Sequence, residues 1–348
     1  MKPLSSVTVA QLPEFDEIID VRSPAEFLDD HIPGAKNFPV LDDAERVRVG
    51  TLYKQISAFE AKKVGAALVA RNIALHLELN FSAKPKTWQP LIYCWRGGSR
   101  SGAMVHILSQ IGWRAGQLDG GYKGYRRVVL AELLSLPAHF QFRVICGLTG
   151  SGKSRLLNAL EQLGAQVLDL ERLAAHRGSV LGNLPDAIQP SQKRFESMLW
   201  WELKQLDPTR PVFVEAESKK IGNLRVPDSL LTQMWCGQCI RLDVERPLRV
   251  ELLKQEYAHF VECPLTLHDK LDFLTGLHGH ELILKWKNMT RDDQWDSLVA
   301  ELLEKHYDPS YRRSMLKHYL HFQSGLTLPV TDIGDIAMLR LAQEVVAI

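Results

Sequence analysis

The sequence predicts an α/β protein of two consecutive parallel-sheet domains, the second ending in a mostly helical part. Three observations carry this. Short apolar runs alternate with helical stretches along the chain, the pattern of parallel strands joined by crossover helices. Two of these runs, "LIYCW" and "FRVIC", lead straight into glycine-bearing loops and then into helical segments. Between them "SLPAHFQ" breaks the pattern with a proline and polar residues, which places one domain over 1–136 and another over 140–348.

The elements follow in order. "EIID" is a strand, after which Ser23 stands at a helix N-cap, Pro24 at the first helical position and Glu26 where a capping box needs it. A helix spans about Ala61 to Leu79, "LIYCW" is the next strand, Gly102 to Gln110 a helix, and "GQLDGG" a strand end. A helix from about Tyr125 to Leu134 closes the first domain. The second opens on "FRVICGL" from about Phe142 and continues through the strands "AQVLDL", "PVFVEA" and "CIRLDV". Helical stretches such as "SQKRFESMLWWELKQL" separate them, and after Arg246 the chain becomes mostly helical and rich in charge.

Composition narrows the function classes. At 348 residues each domain can bury its own core. A net charge of +1 excludes a uniformly basic surface, so any nucleic-acid binding needs a local patch. No apolar run reaches the roughly 18 residues of a membrane helix, and "MKPLSSVTVAQLPEF" lacks the apolar core of a signal peptide. Five cysteines, an odd number, argue against a disulfide framework and for a reducing cytoplasm. Cys236 and Cys239 form the only C-x-x-C; without a second pair or histidines at ligand spacing it is not expected to hold a metal. Cys146 and Cys263 lack a polar neighbourhood that would activate them.

Cys94 is different. It ends a predicted parallel strand and enters the loop "CWRGGSR", where Gly97 and Gly98 permit a tight turn and Ser99 leads into a helix. Backbone N–H groups of such a loop, with the positive end of the helix, converge on one point. That field lowers a thiol pKa and holds an anion beside it, with Arg96 and Arg100 placed to bracket an oxyanion. The segments "IDVRSPAEF", "HIPGAKNFP", C-x-x-G-x-x-R and "GGYKGYR" resemble, in order and spacing, the rhodanese domains. That resemblance implies that Cys94 carries a transferable sulfur as a persulfide, and that Asp20, Arg22, Glu26, His31 and Gly34 shape the framework. One departure stands out. Rhodaneses usually place four residues between the cysteine and the final arginine, whereas five intervene here, Trp95 to Ser99. The longer loop resembles that of cell-cycle phosphatases of the same fold and suits a whole tetrahedral phosphate-like donor.

The second loop, "GLTGSGKS", fits G-x-x-x-x-G-K-[ST] between an apolar strand and a helix, the context that the P-loop motif requires. The backbone of Gly147, Thr149, Gly150, Ser151 and Gly152 would wrap a di- or triphosphate, Lys153 would neutralise it, and Ser154 could hold Mg²⁺. Asp169, Glu171 and Arg177 follow one strand and Glu215 and Glu217 another, so these residues are expected to gather at the C-terminal edge of the sheet. No metal site independent of the phosphate is expected, and no tightly bound cofactor. Two basic stretches, Lys219, Lys220 and Arg225, then Arg312, Arg313 and Lys317, are the places where an RNA substrate would make phosphate contacts.

The fusion of a long-loop rhodanese-like domain to a P-loop domain with "LDLERLAAHRGS" and "EAESKKIG" closely resembles the bacterial tRNA 2-selenouridine synthases. The resemblance implies action on the wobble 2-thiouridine of tRNA anticodons. A geranyl group from geranyl diphosphate goes onto the sulfur, and selenium from selenophosphate then replaces the S-geranyl group. It further implies that Cys94 attacks the selenium donor or accepts selenium as a selenopersulfide. Two other readings fit the loops: an ATP-dependent tRNA sulfurtransferase, and a nucleotide-binding regulator whose rhodanese-like domain is a binding module.

Overall fold

In the computed structural model, which describes residues 7–96 and 98–347, the apolar runs pair into two parallel sheets and one short hairpin. Gly97 of the thiol loop lies outside the described residues. The chain divides into two units, Met1–Glu132 with Pro190–Trp201, and Leu133–Gln189 with Glu202–Ile348.

In the first unit β1 (Glu17–Asp20), β2 (Lys36–Asn37), β3 (Pro90–Tyr93) and β4 (Gly116–Gln117) lie in the order β2-β1-β3-β4, all parallel. Ile19, Leu91, Ile92 and Tyr93 on the inner strands are fully buried, as expected of parallel strands covered on both faces. Around them run α1 (Pro24–Asp29), α2 (Asp43–Gln55), α3 (Ala58–His76), α4 (Ser99–Ile111) and α5 (Gly121–Ser135). α3 turns Ala61, Gly65, Val69 and Ile73, spaced one turn apart, into the core. α4 starts at Ser99 rather than Gly102, because the helix begins directly where the thiol loop ends. Pro190–Trp201 joins this unit through polar contacts that no sequence pattern announces. Ser197 Oγ donates to Asp30 at 2.9 Å, Trp200 Nε1 donates to Glu132 at 2.8 Å, and Arg126 pairs with Glu196 at 2.5 Å.

The second unit builds β5 (Phe142–Gly147), β6 (Gln166–Leu168), β7 (Val212–Glu215), β8 (Lys220–Ile221), β9 (Leu224–Arg225), β10 (Gln238–Val244) and β11 (Leu326–Val330). The main sheet is parallel with order β11-β10-β5-β7-β6, so the loop after central β5 opens between neighbours on both sides. β11 is a strand within the region the sequence marks as helical. Its side chains are mostly exposed and it contains Pro329, which an edge strand tolerates because its outer N–H groups need no ladder partner. β8 and β9 form an antiparallel hairpin around Gly222-Asn223, with Gly222 at φ +58°. α6 (Lys153–Gln162) covers the sheet together with the helix Asp335–Ala347, burying Leu156, Leu160, Leu242, Val330, Met338 and Ala342 in one core.

Between α7 (Leu170–Ala174) and α8 (Gln192–Gln205) the chain crosses irregular structure, and α9 (Asp228–Cys236) precedes β10. After α10 (Arg246–Glu256) a series of short helices packs Phe260, Leu267, Leu271, Ile283, Trp286 and Leu298 into a second apolar cluster. Among the described residues no helix is long and apolar enough to cross a membrane.

Candidate active site

The first site grows from the end of β3. Cys94 is only 4% exposed, and the loop after it closes against the start of α5, where the N–H groups of Tyr122 and Lys123 donate to the carbonyls of Cys94 and Trp95 at 2.8 and 3.0 Å. This explains why "GGYKGYR" belongs with the loop. Ser101 Oγ, in the first turn of α4, lies 3.3 Å from the Cys94 sulfur and itself receives Gln117 Nε2 at 2.9 Å. Burial alone would raise the Cys94 thiol. Hydrogen bonds from the Ser101 hydroxyl and from the N–H groups of Ser101, Arg96 and Gly98 outweigh it and hold the thiol below its ordinary value. The sulfur therefore sits in a ring of donors at a helix N-terminus, suited to a thiolate with an anion beside it.

The two arginines take different places. Arg96 is exposed on the loop, as is Ser99. Arg100 is partly buried, and its Nη1 donates to Glu26 at 2.9 Å, while Arg46 approaches the same carboxylate at 3.6 Å. Glu26 also accepts from the Ser23 N–H, so one carboxylate ties the start of α1 to the start of α4. Asp20 and Arg22 form a buried ion pair at 2.6 Å, with the Arg22 guanidinium 4.0 Å from the centre of the Tyr122 ring. His31 hydrogen-bonds through Nδ1 to the Phe27 carbonyl, and Gly34 turns the chain at φ +78°.

The second site lies at the end of β5. Gly150 adopts φ +78°, and a Cβ there would come within 3.0 Å of Leu253 and the Arg249 carbonyl, so only glycine lets the loop pass beneath α10. Lys153 Nζ reaches back to the Gly147 carbonyl at 3.0 Å and lies 5.5 Å from the centre of the Tyr311 ring. The Gly147 N–H donates to the Tyr311 hydroxyl at 2.8 Å. Arg249, buried and paired with Asp308 at 2.5 Å, donates to the Thr149 carbonyl at 2.8 Å and fixes the loop from behind. Thr149, Gly150, Ser151, Gly152, Lys153 and Ser154 line a cavity of about 430 Å³.

Glu171, Glu215, Glu217 and Arg177 line the same cavity. One oxygen of each of the three glutamates lies within 4.8 Å of the others, and Ser154 Oγ stands 3.3 Å from Glu171 and 3.4 Å from Glu215. Burial and mutual repulsion push Glu171 and Glu217 up to about 8 and Glu215 well above the usual carboxylate range. Among the described residues the second oxygen of buried Glu215 and the Ser151 hydroxyl have no protein partner. Three crowded carboxylates, an orphaned oxygen and a serine hydroxyl make a donor set that fits Mg²⁺. Asp169 does not line the cavity: its side chain caps α7 by accepting from the Arg172 N–H at 2.8 Å. Arg177 is held by the Glu256 carbonyl and lies 4.9 Å from the centre of the Tyr257 ring.

Beside this cavity is a second one of about 60 Å³, walled almost wholly by apolar groups, among them Phe260, Leu267, Trp295, Leu298 and Leu302. Thr149, Ser179, Leu253, Tyr257 and Tyr307 border both. Its walls come from helices that read in sequence only as a charged helical region. Tyr311 lies in a stretch whose sequence signal is its arginines, and Ser101 has no signal beyond its closeness to Cys94.

Comparison with known proteins finds a match for each part of the chain. Residues 140–271 match the tRNA 2-selenouridine synthase AAA domain, and residues 7–127 match the rhodanese-like domain. The tRNA 2-selenouridine synthase of Hydrogenovibrio crunogenus is 32% identical over 327 residues, covering 86% of this chain and 89% of that one. That of Nitrosomonas europaea is 35% identical over 260 residues, 73% of this chain and 66% of the relative. The Alcanivorax borkumensis protein of the same name is 36% identical over 247 residues, 69% of this chain and 66% of the relative.

Proposed function

Because the chain belongs to the tRNA 2-selenouridine synthase family, we propose that it exchanges the sulfur of a wobble 2-thiouridine in tRNA for selenium through an S-geranyl intermediate. Geranyl diphosphate and selenophosphate are the co-substrates. The observation that carries the donor assignment is the apolar cavity sharing walls with the phosphate loop. A pocket walled almost wholly by apolar groups beside a phosphate loop suits a diphosphate with a hydrocarbon tail.

In the first step the thiocarbonyl sulfur of the uridine attacks the first carbon of the geranyl chain, the carbon–oxygen bond breaks, diphosphate leaves with the electron pair, and N3 of the base gives up its proton to water. Lys153 and the N–H groups of the loop meet the charge that develops on that diphosphate. Ser154, Glu171, Glu215 and Glu217 would hold Mg²⁺, which supplies further positive charge next to the phosphates. Alkylation turns a poor leaving group into a good one.

The second step begins at Cys94. The five-residue spacing of its loop suits a tetrahedral donor, and the lowered thiol pKa suits attack on phosphorus. The sulfur–phosphorus bond forms as the phosphorus–selenium bond breaks, and selenide leaves with the electron pair. Selenide then adds to C2 of the S-geranyl uridine and expels geranyl thiolate, while water hydrolyses the cysteinyl phosphate to phosphate. A selenopersulfide on Cys94 would instead require phosphorus to depart reduced, so attack at phosphorus is the balanced route. Arg100, tied to Glu26, keeps the loop and the start of α4 in register under the donor.

Direct binding tests the donor assignment. Geranyl diphosphate should bind the full chain at least about tenfold more tightly than inorganic diphosphate, because the tail adds buried apolar surface. Equal affinities would remove the tail from the apolar cavity.

A further inference from the structure

Lys219 and Lys220 of the first basic stretch line one open cavity of about 360 Å³, together with Glu217, Ser218, Trp235, Ser314 and His318; Arg312, Arg313 and Lys317 do not line it. Glu217, Ser218 and Ser314 also line the phosphate-loop cavity, so the two spaces adjoin. Within it Trp235 and His318 stack face to face, with ring centroids 4.6 Å apart and planes 21° from parallel. Lys219 Nζ lies 5.8 Å from the centre of the Trp235 ring. Burial first, then the cations Lys317 and Lys219, hold the His318 imidazole below its ordinary pKa, so the stack pairs two neutral rings near pH 7.

A core-forming aromatic would be covered. Trp235 and His318 are each only partly buried, and Lys219 and Lys220 beside them are exposed. A platform of flat rings flanked by lysines matches the two needs of a single-stranded nucleic acid, a surface for stacking an unpaired base and positive charge for its phosphates. Duplex RNA keeps its base faces inside the helix and cannot use such a platform.

Given the tRNA substrate of the proposed function, we infer that Trp235 and His318 form a stacking platform for an unpaired base of the RNA, with Lys219 and Lys220 on the adjoining phosphates. The platform delivers the neighbouring nucleotide across the shared rim formed by Glu217, Ser218 and Ser314 into the phosphate-loop cavity. Stacking tolerates any base, so the platform contributes affinity and placement, while choice of the uridine is left to the cavity.

The test uses the full chain, a labelled hairpin RNA with an unpaired loop, a fully paired duplex of equal length, and ATP as a free-nucleotide control. Loss of one base–aromatic stack corresponds to roughly ten- to a hundredfold. Trp235→Ala should weaken hairpin binding by that factor, leave duplex binding within about twofold, and melt at the wild-type temperature. Trp235→Phe, which keeps a ring face, should retain most of the affinity, and His318→Ala should lose a smaller part of it. Undiminished hairpin binding by Trp235→Ala would overturn the platform. So would equal losses for hairpin and duplex, which would mark a purely electrostatic surface, or a loss confined to ATP, which would make it a nucleotide-base site. Failure of the wild-type chain to bind the hairpin at all would instead remove the tRNA reading itself.

Discussion

Shortening the allylic donor by one isoprene unit isolates the contribution of the apolar cavity. Dimethylallyl diphosphate presents the same diphosphate to the phosphate loop and loses only the distal part of the tail. The unit removed is five carbon atoms of the part of the tail that reaches the cavity, which measures about 60 Å³. At about 0.8 kcal/mol per buried CH₂ those five carbons contribute up to about 4 kcal/mol, roughly a thousandfold in affinity. Ordering the tail consumes part of this, so kcat/KM for dimethylallyl diphosphate should be lower by about ten- to a thousandfold. Alkylated wobble nucleosides, counted by mass spectrometry at subsaturating donor, provide the assay. Leu298 is fully buried in the cavity wall, and Leu298→Phe should fill the space and erase most of the preference without impairing use of the shorter donor. Equal use of both donors by the wild-type chain, or an unchanged preference in Leu298→Phe, would refute the placement of the tail.

Three further outcomes follow. Lys153→Ala removes the charge beside the leaving diphosphate and should cut geranylation about 10²- to 10³-fold, more in kcat than in binding, while pre-geranylated tRNA restores selenation; failure with pre-geranylated tRNA would mean that the two cradles act as one. Cys94→Ser should do the reverse, accumulating geranylated tRNA without selenium, because a hydroxyl at that position stays protonated; near-normal selenation would remove Cys94 from the chemistry. Glu171 and Glu217 have folded-state pKa values of about 8 against an ordinary 4.5, so the folded chain carries extra protons between those values. Stability of the metal-free protein should therefore fall as pH rises through that window, and Mg²⁺ must displace those protons. Calorimetric Mg²⁺ affinity should rise with pH and level off above about 8 with proton release below it; a flat profile would contradict the carboxylate cluster as the ligand set.

The parts legible in sequence are those in which local geometry dictates composition. A cysteine before Gly-Gly and a lysine after Gly-x-Gly each need a tight backbone, and both loops sit at strand ends as their residues require. The parts that were not legible depend on convergence of distant segments. β11 is not legible because an exposed edge strand containing Pro329 lacks the apolar pattern that marks inner strands. The β8–β9 hairpin did carry a signal, Gly-Asn between Ile221 and Leu224, which the lysines of that stretch obscured. The apolar cavity draws its walls from residues spread between Thr149 and Tyr307, and no window of sequence contains that shape. Composition predicts that Arg100 is a cation near the loop; only the fold shows that Glu26 claims it.

The division of labour between two cradles is tested most directly by following the wobble nucleoside over time. The full chain is incubated with 2-thiouridine tRNA, geranyl diphosphate and selenophosphate in the absence of ATP, and the nucleosides are analysed by mass. S-geranyl-2-thiouridine should rise first and decline as 2-selenouridine forms, and omission of selenophosphate should arrest the reaction at the geranylated nucleoside. Selenouridine formed without geranyl diphosphate, or only when ATP is added, would contradict the account.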